Sequence, residues 1–141
     1  MIAIDYKGDL YPCLRYMESS IGQNQPPYII GNINDGIGYN QQTKDMIAGL
    51  NVTYQSQSPQ ECLNCPVSSE CGWCSALNYQ EFGTINKRTT YTCLMHKARV
   101  LANYYYQNKM GGNYPFLINK QDAIDIIGED ETNYLMKLAN G

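Results

Sequence analysis

Four of the chain's six cysteines fall within thirteen residues: Cys62, Cys65, Cys71 and Cys74, separated by two, five and two residues. No other feature narrows the choice of folds as much. Thiols this dense are either cross-linked or gathered round metal, and both tie a loop down. Cys93 follows 18 residues after Cys74, and Cys13 lies far upstream. Iron–sulfur clusters take several thiolates, commonly a close pair or triplet with a distant final cysteine. The pattern points to that chemistry first.

Three other accounts fit parts of the pattern. A zinc ribbon takes two Cys-x2-Cys knuckles about 12–20 residues apart, whereas five residues separate Cys65 from Cys71. Cys71-Gly72-Trp73-Cys74 has the look of a thiol–disulfide motif, but that motif belongs in a βαβ setting that the flanking sequence lacks. A secreted three-disulfide scaffold suits the even count. Against it, Met1-Ile2-Ala3-Ile4-Asp5 has neither the basic region nor the apolar run of a signal peptide. Reduced thiols and a cytoplasmic setting are therefore expected. No segment approaches the roughly 18 apolar residues of a membrane span. A net charge of −3 and a sequence pI near 5.0 leave no basic face for nucleic acid.

The chain's 141 residues suit one domain with a modest core. Ile2, Ile4 and Tyr6 alternate before Lys7-Gly8-Asp9, and residues 10–16 return, which predicts an N-terminal β-hairpin. Pro12 predicts an edge or bulged returning strand. Residues 17–39 read as loop, with a short extended piece at 29–33. A helix is expected over 41–54 behind Asn40, and a helical turn at Ser58-Pro59-Gln60-Glu61 that delivers Cys62 and Cys65. The dominant helix is expected over 91–108, capped by Thr90 and stopped by Gly111-Gly112. Leu94, Met95, Ala98, Leu101, Ala102 and Tyr105 would form its apolar stripe. Two short helices, 120–127 and 130–139, would be broken at Gly128. The fold class is α+β, a small cysteine-rich domain with metal-binding loops and a helical C-terminal part. Thirteen tyrosines against two phenylalanines suit rings packed at the rim of a small core with their hydroxyls wet or bonded.

Taken together these residues resemble the SPASM domain, the auxiliary iron–sulfur module C-terminal to the catalytic barrel of many radical S-adenosylmethionine enzymes. Gly8-Asp9-Leu10-Tyr11-Pro12-Cys13 matches its Gly-x4-Cys. Ile30-Gly31-Asn32-Ile33 is similar to the turn that follows, Cys62, Cys65 and Cys71 match the next block, and Cys93 the final position. Cys74 stands two residues after Cys71, where the family pattern has three. The match covers about 2–93, and residues 72–108 are similar to enzymes that mature ribosomally made peptides.

The resemblance implies that Cys62, Cys65, Cys71 and Cys93 ligate one auxiliary [4Fe–4S] cluster. It gives Cys13 and Cys74 to a second cluster, together with cysteines ahead of Met1, so the chain would begin inside the domain. Residues 1–112 would form the auxiliary-cluster domain and 113–141 a helical extension. The Cys-x3-Cys-x2-Cys motif of radical generation does not occur. The chain is therefore expected to bind metal without turnover, as part of an enzyme acting on a peptide or protein substrate. Zinc could substitute in four thiolates, and the alternative function is a zinc-stabilised, tyrosine-rich interaction module. The exposed edge of the hairpin would suit pairing as a homodimer. His96, one helical turn after Cys93, and Trp73, between two cysteines, are read as a helix-surface residue and as either a cluster shield or a core cap.

Overall fold

The computed structural model describes residues 1–21, 24–111 and 119–140. The chain is α+β: a four-stranded antiparallel sheet in the order β1-β2-β3-β4 comes first, and helices dominate the rest. β1 (Ala3–Ile4) and β2 (Asp9–Tyr11) form the expected hairpin, pairing Ala3 with Tyr11 and Ile4 with Leu10. Its turn is held by Asp5, whose carboxylate accepts the amides of Lys7 at 2.9 Å and Asp9 at 3.0 Å. Gly8 takes the left-handed φ of +83° that the turn requires.

β2 is not an edge strand. β3 (Gly31–Asn32) pairs with its other side, and β4 (Gly36–Ile37) completes the sheet. Pro12 is accommodated because the ladder stops at Tyr11, one residue before the missing donor. The chain then turns into a 3-10 helix, Leu14–Tyr16, where a returning strand was expected.

α1 (Gln41–Gly49) starts at Asn40, whose side chain accepts the Thr43 amide at 2.8 Å while Thr43 Oγ1 accepts the Asn40 amide at 3.2 Å. It stops short of Tyr54, which opens the separate turn α2 (Tyr54–Gln57) behind Thr53. α3 is Gln60–Leu63, α4 Ser75–Phe82, α5 Cys93–Lys109, α6 Lys120–Ile127 and α7 Glu129–Asn140. The last two are divided at Gly128, at φ +98°. The expected boundary at 112/113 and the Gly112 half of the Gly111-Gly112 stop lie outside the described residues. No helix among the described residues is long and apolar enough to cross a membrane.

Two compact units emerge, Met1–Pro59 with Trp73–Thr89 (unit 1), and Gln60–Gly72 with Thr90–Gly141 (unit 2). The core of unit 1 is built on Tyr16, Tyr28 and Tyr79, with ring centroids 5.1, 6.2 and 4.9 Å apart. Each hydroxyl is spent on a partner: Tyr16 donates to Ser75 Oγ, Tyr28 to the Met46 carbonyl and Tyr79 to the Pro26 carbonyl. This lets tyrosine replace phenylalanine in a core without stranding a polar group. The core of unit 2 is Val67, Val100 and Ile127, with Leu101, Tyr104 and Leu135 against it.

Candidate metal centre

The cysteine loop is a run of short turns. Pro59 precedes α3, where its missing N–H costs nothing. From there the Cys65 amide donates to the Cys62 carbonyl at 3.3 Å, Ser68 to Cys65 at 3.0 Å, and Cys71 to Ser68 at 3.4 Å. An unbroken relay of i→i+3 bonds thus joins Cys62, Cys65 and Cys71 through Ser68.

The far end of this loop is fastened to α5 within unit 2. The Glu70 carboxylate accepts the Tyr104 hydroxyl, and the Glu70 carbonyl accepts Arg99 Nη2 at 3.4 Å. Gly72 lies against the same helix: a methyl in place of its hydrogen would come 3.7 Å from Arg99 Nη2 and 3.8 Å from His96 Cε1. Cys71 is therefore held one residue from His96, and His96 sits one turn along from Cys93, the first residue of α5. Cys93's own amide donates to the Thr90 carbonyl at 3.0 Å. Thr90 was expected as the cap, but Thr92 takes that position, without a side-chain capping bond.

The stripe that α5 buries differs from the expected one. Met95 and Tyr105 are exposed, while Val100 is buried and Leu101 and Tyr104 pack beside it. Cys93, Lys97, Val100 and Tyr104 share a helical face at the i, i+4, i+7, i+11 spacing. The thiol of α5 thus lies on the face that packs.

Cys13 and Cys74 belong to unit 1, each as the residue just ahead of a helix: Cys13 before Leu14–Tyr16, Cys74 before α4. Both are half-buried against the unit 1 core. Tyr16, bonded to Ser75 at 2.7 Å, bridges the two helix starts. Burial pushes its phenol up to about 12, and the charges of Cys74 and Cys13 add to the shift, so both thiols act on one hydroxyl. Trp73 is 42% exposed and belongs to this unit, at odds with a role as a core cap.

All six cysteines are half-buried and none is in a disulfide. The donor set of unit 2, four thiols, is chemically suited to an iron–sulfur cluster or to zinc. Among the described residues, however, no three His, Cys, Asp or Glu side chains are gathered closely enough to hold a metal ion. The four thiols share a unit and follow one another along it.

Glu70, Arg99 and Tyr104, which fasten the loop, carried no sequence signal, because their contacts join segments about 30 residues apart. Compared with known proteins, the chain matches no family model, no curated protein and no solved structure.

Proposed function

We propose that this chain is the auxiliary-cluster part of a radical S-adenosylmethionine enzyme acting on a peptide or protein substrate in the cytoplasm. In this reading Cys62, Cys65, Cys71 and Cys93 hold one [4Fe–4S] cluster. Cys13 and Cys74 contribute to a second cluster that further cysteines would complete. The observation that carries the reading is the division of the thiols: the four given to one cluster all fall in unit 2, and the two given to the other fall in unit 1.

Bound to the four thiolates, a cluster supplies one-electron transfer. The protein's own part is to hold and shield it. The relay of turns spaces Cys62, Cys65 and Cys71, and the Glu70 fastening keeps Cys71 beside α5. Val67 and Val100 exclude water next to Cys65, and a drier shell tunes potential.

The test is the visible spectrum of protein purified without oxygen. A brown protein that is bleached by Cys93→Ala supports the reading. A colourless, zinc-containing protein, or colour indifferent to Cys93, contradicts it and favours the structural-zinc module.

A further inference from the structure

Unit 1 has a cleft of its own, away from any cysteine. It measures about 300 Å³ and opens between the first hairpin turn and the segment after the 3-10 helix, lined by Asp5, Tyr6, Met17, Glu18 and Ser19. Tyr6 and Met17 give it an apolar wall, and Asp5 and Glu18 give it two carboxylates. The chain's own Lys7 shows which group this rim attracts. Its ammonium lies 4.0 Å from Glu18 Oε2 and 5.5 Å from the centre of the Tyr6 ring.

The Asp5 carboxylate is fixed in place. Its Oδ1 accepts the amides of Lys7 and Asp9, and its Oδ2 accepts the Tyr11 hydroxyl at 2.9 Å. Desolvation opposes the charge, but these bonds outweigh it and hold the carboxyl below its ordinary 3.8. A charge already held still loses no freedom when a partner arrives. An apolar wall beside carboxylates suits a cation on an apolar stem, because a lysine stem packs on apolar surface and its ammonium is drawn to an aromatic face.

We infer that this cleft docks the lysine side chain of a peptide segment, with its stem against Tyr6 and Met17 and its ammonium at Asp5 and Glu18. Charge complementarity carries the assignment. The openness of the cleft favours a peptide over a free amine. Tyr6, Glu18 and Ser19 are exposed, whereas a small-molecule site encloses most of its ligand. A side chain projecting from a segment laid across the rim needs only its end enclosed. The inference goes beyond the proposed function and needs no metal, so either can fail alone.

The experiment titrates a lysine-centred pentapeptide with blocked ends into the full chain and follows the backbone amides by NMR. Signals of Tyr6, Lys7 and Met17–Ser19 are expected to move. A norleucine version, which keeps the stem without the charge, is expected to bind at least about five-fold more weakly, as is Glu18→Gln by about two- to five-fold. Lys7→Met removes the competing ammonium and is expected to tighten binding by a similar factor. Asp45→Asn changes the net charge as Glu18→Gln does, but on α1 and outside the cleft, and is expected to leave affinity unchanged. Equal binding of the norleucine peptide, an equal loss in Asp45→Asn, or an absence of shifts at the cleft residues overturns the assignment. Butylamine binding as tightly as the peptide overturns it too, in favour of a small-amine site.

Discussion

The Cys65 amide donates to the Cys62 carbonyl at 3.3 Å, so the first two thiols of the loop leave the chain on a single turn. The same three-residue step repeats to Cys71. Loss of either thiol would remove a proposed ligand while leaving this backbone relay in place. Cys62→Ser and Cys65→Ser are each expected to weaken metal binding by more than about 100-fold, above the cost of outer-shell changes. The pair Cys13→Ser and Cys74→Ser is expected to leave binding at the four-thiol site unchanged. Metal content per chain after gel filtration checks both.

Two glycines of the second hairpin are required for different reasons. A Cβ on Gly31 would lie 2.5 Å from the Gly36 carbonyl oxygen and 2.8 Å from Ile37 Cα, backbone atoms of the paired strand. Gly31→Ala is expected to cost about 1–3 kcal/mol through overpacking. Gly36 has open space around it, but its φ is +86°, and a side chain there costs about 1–2 kcal/mol. Asparagine tolerates that backbone, so Gly36→Asn is expected to be mild while Gly31→Asn is as harmful as alanine. Urea unfolding of the variants separates the two causes.

Alkali is expected to loosen unit 1. Burial raises the Tyr16 phenol to about 12, against 10.0 for the ordinary side chain. A raised value means the contribution is whole below about pH 10 and is lost as pH climbs toward 12. Burial raises Tyr28 and Tyr79 as well. Tyr16→Phe removes the bond to Ser75, costing about 1 kcal/mol at neutral pH, and should flatten part of the alkaline limb. Denaturant midpoints measured from pH 8 upward check this.

Acid is expected to act on unit 2 through Glu131. Its hydrogen bond from Lys97 holds the carboxyl below the usual 4.5, outweighing desolvation. A lowered value means the contribution is whole above about pH 4.5 and fades as pH falls through the folded-state value. The pair ties α7 to α5 at a partly exposed position, so about 0.5 kcal/mol is at stake. Glu131→Gln should remove that part of the acid limb, read by helical dichroism against pH.

Local chemistry made much of the fold legible. Gly8 and Asp9 marked the first turn, Asn40 the start of α1, and Gly128 the break between α6 and α7, each through a backbone requirement that few residues satisfy. α4 has no clear sequence signal, because Cys74 stands at its cap without a side-chain bond and because its most buried residue is the polar Asn78. The packed face of α5 differs from its apolar stripe for a related reason. Lys97 is half-buried there and Met95 is exposed, and a long lysine stem covers apolar surface as well as a hydrophobic residue does. Pro12, counted inside β2, predicts an edge or bulged strand, but the ladder ends at Tyr11 and β3 pairs with the strand's other side. For the candidate site, the cysteine spacing identified the thiols. Their sorting into two units depends on distant contacts that spacing does not encode.

The most direct test of the central claim is iron and acid-labile sulfide analysis of the chain purified without oxygen. About four irons and four sulfides per chain, both lost in Cys62→Ala and in Cys93→Ala, are what the four-thiol cluster requires. Zinc without sulfide, or iron and sulfide that survive both substitutions, would contradict it.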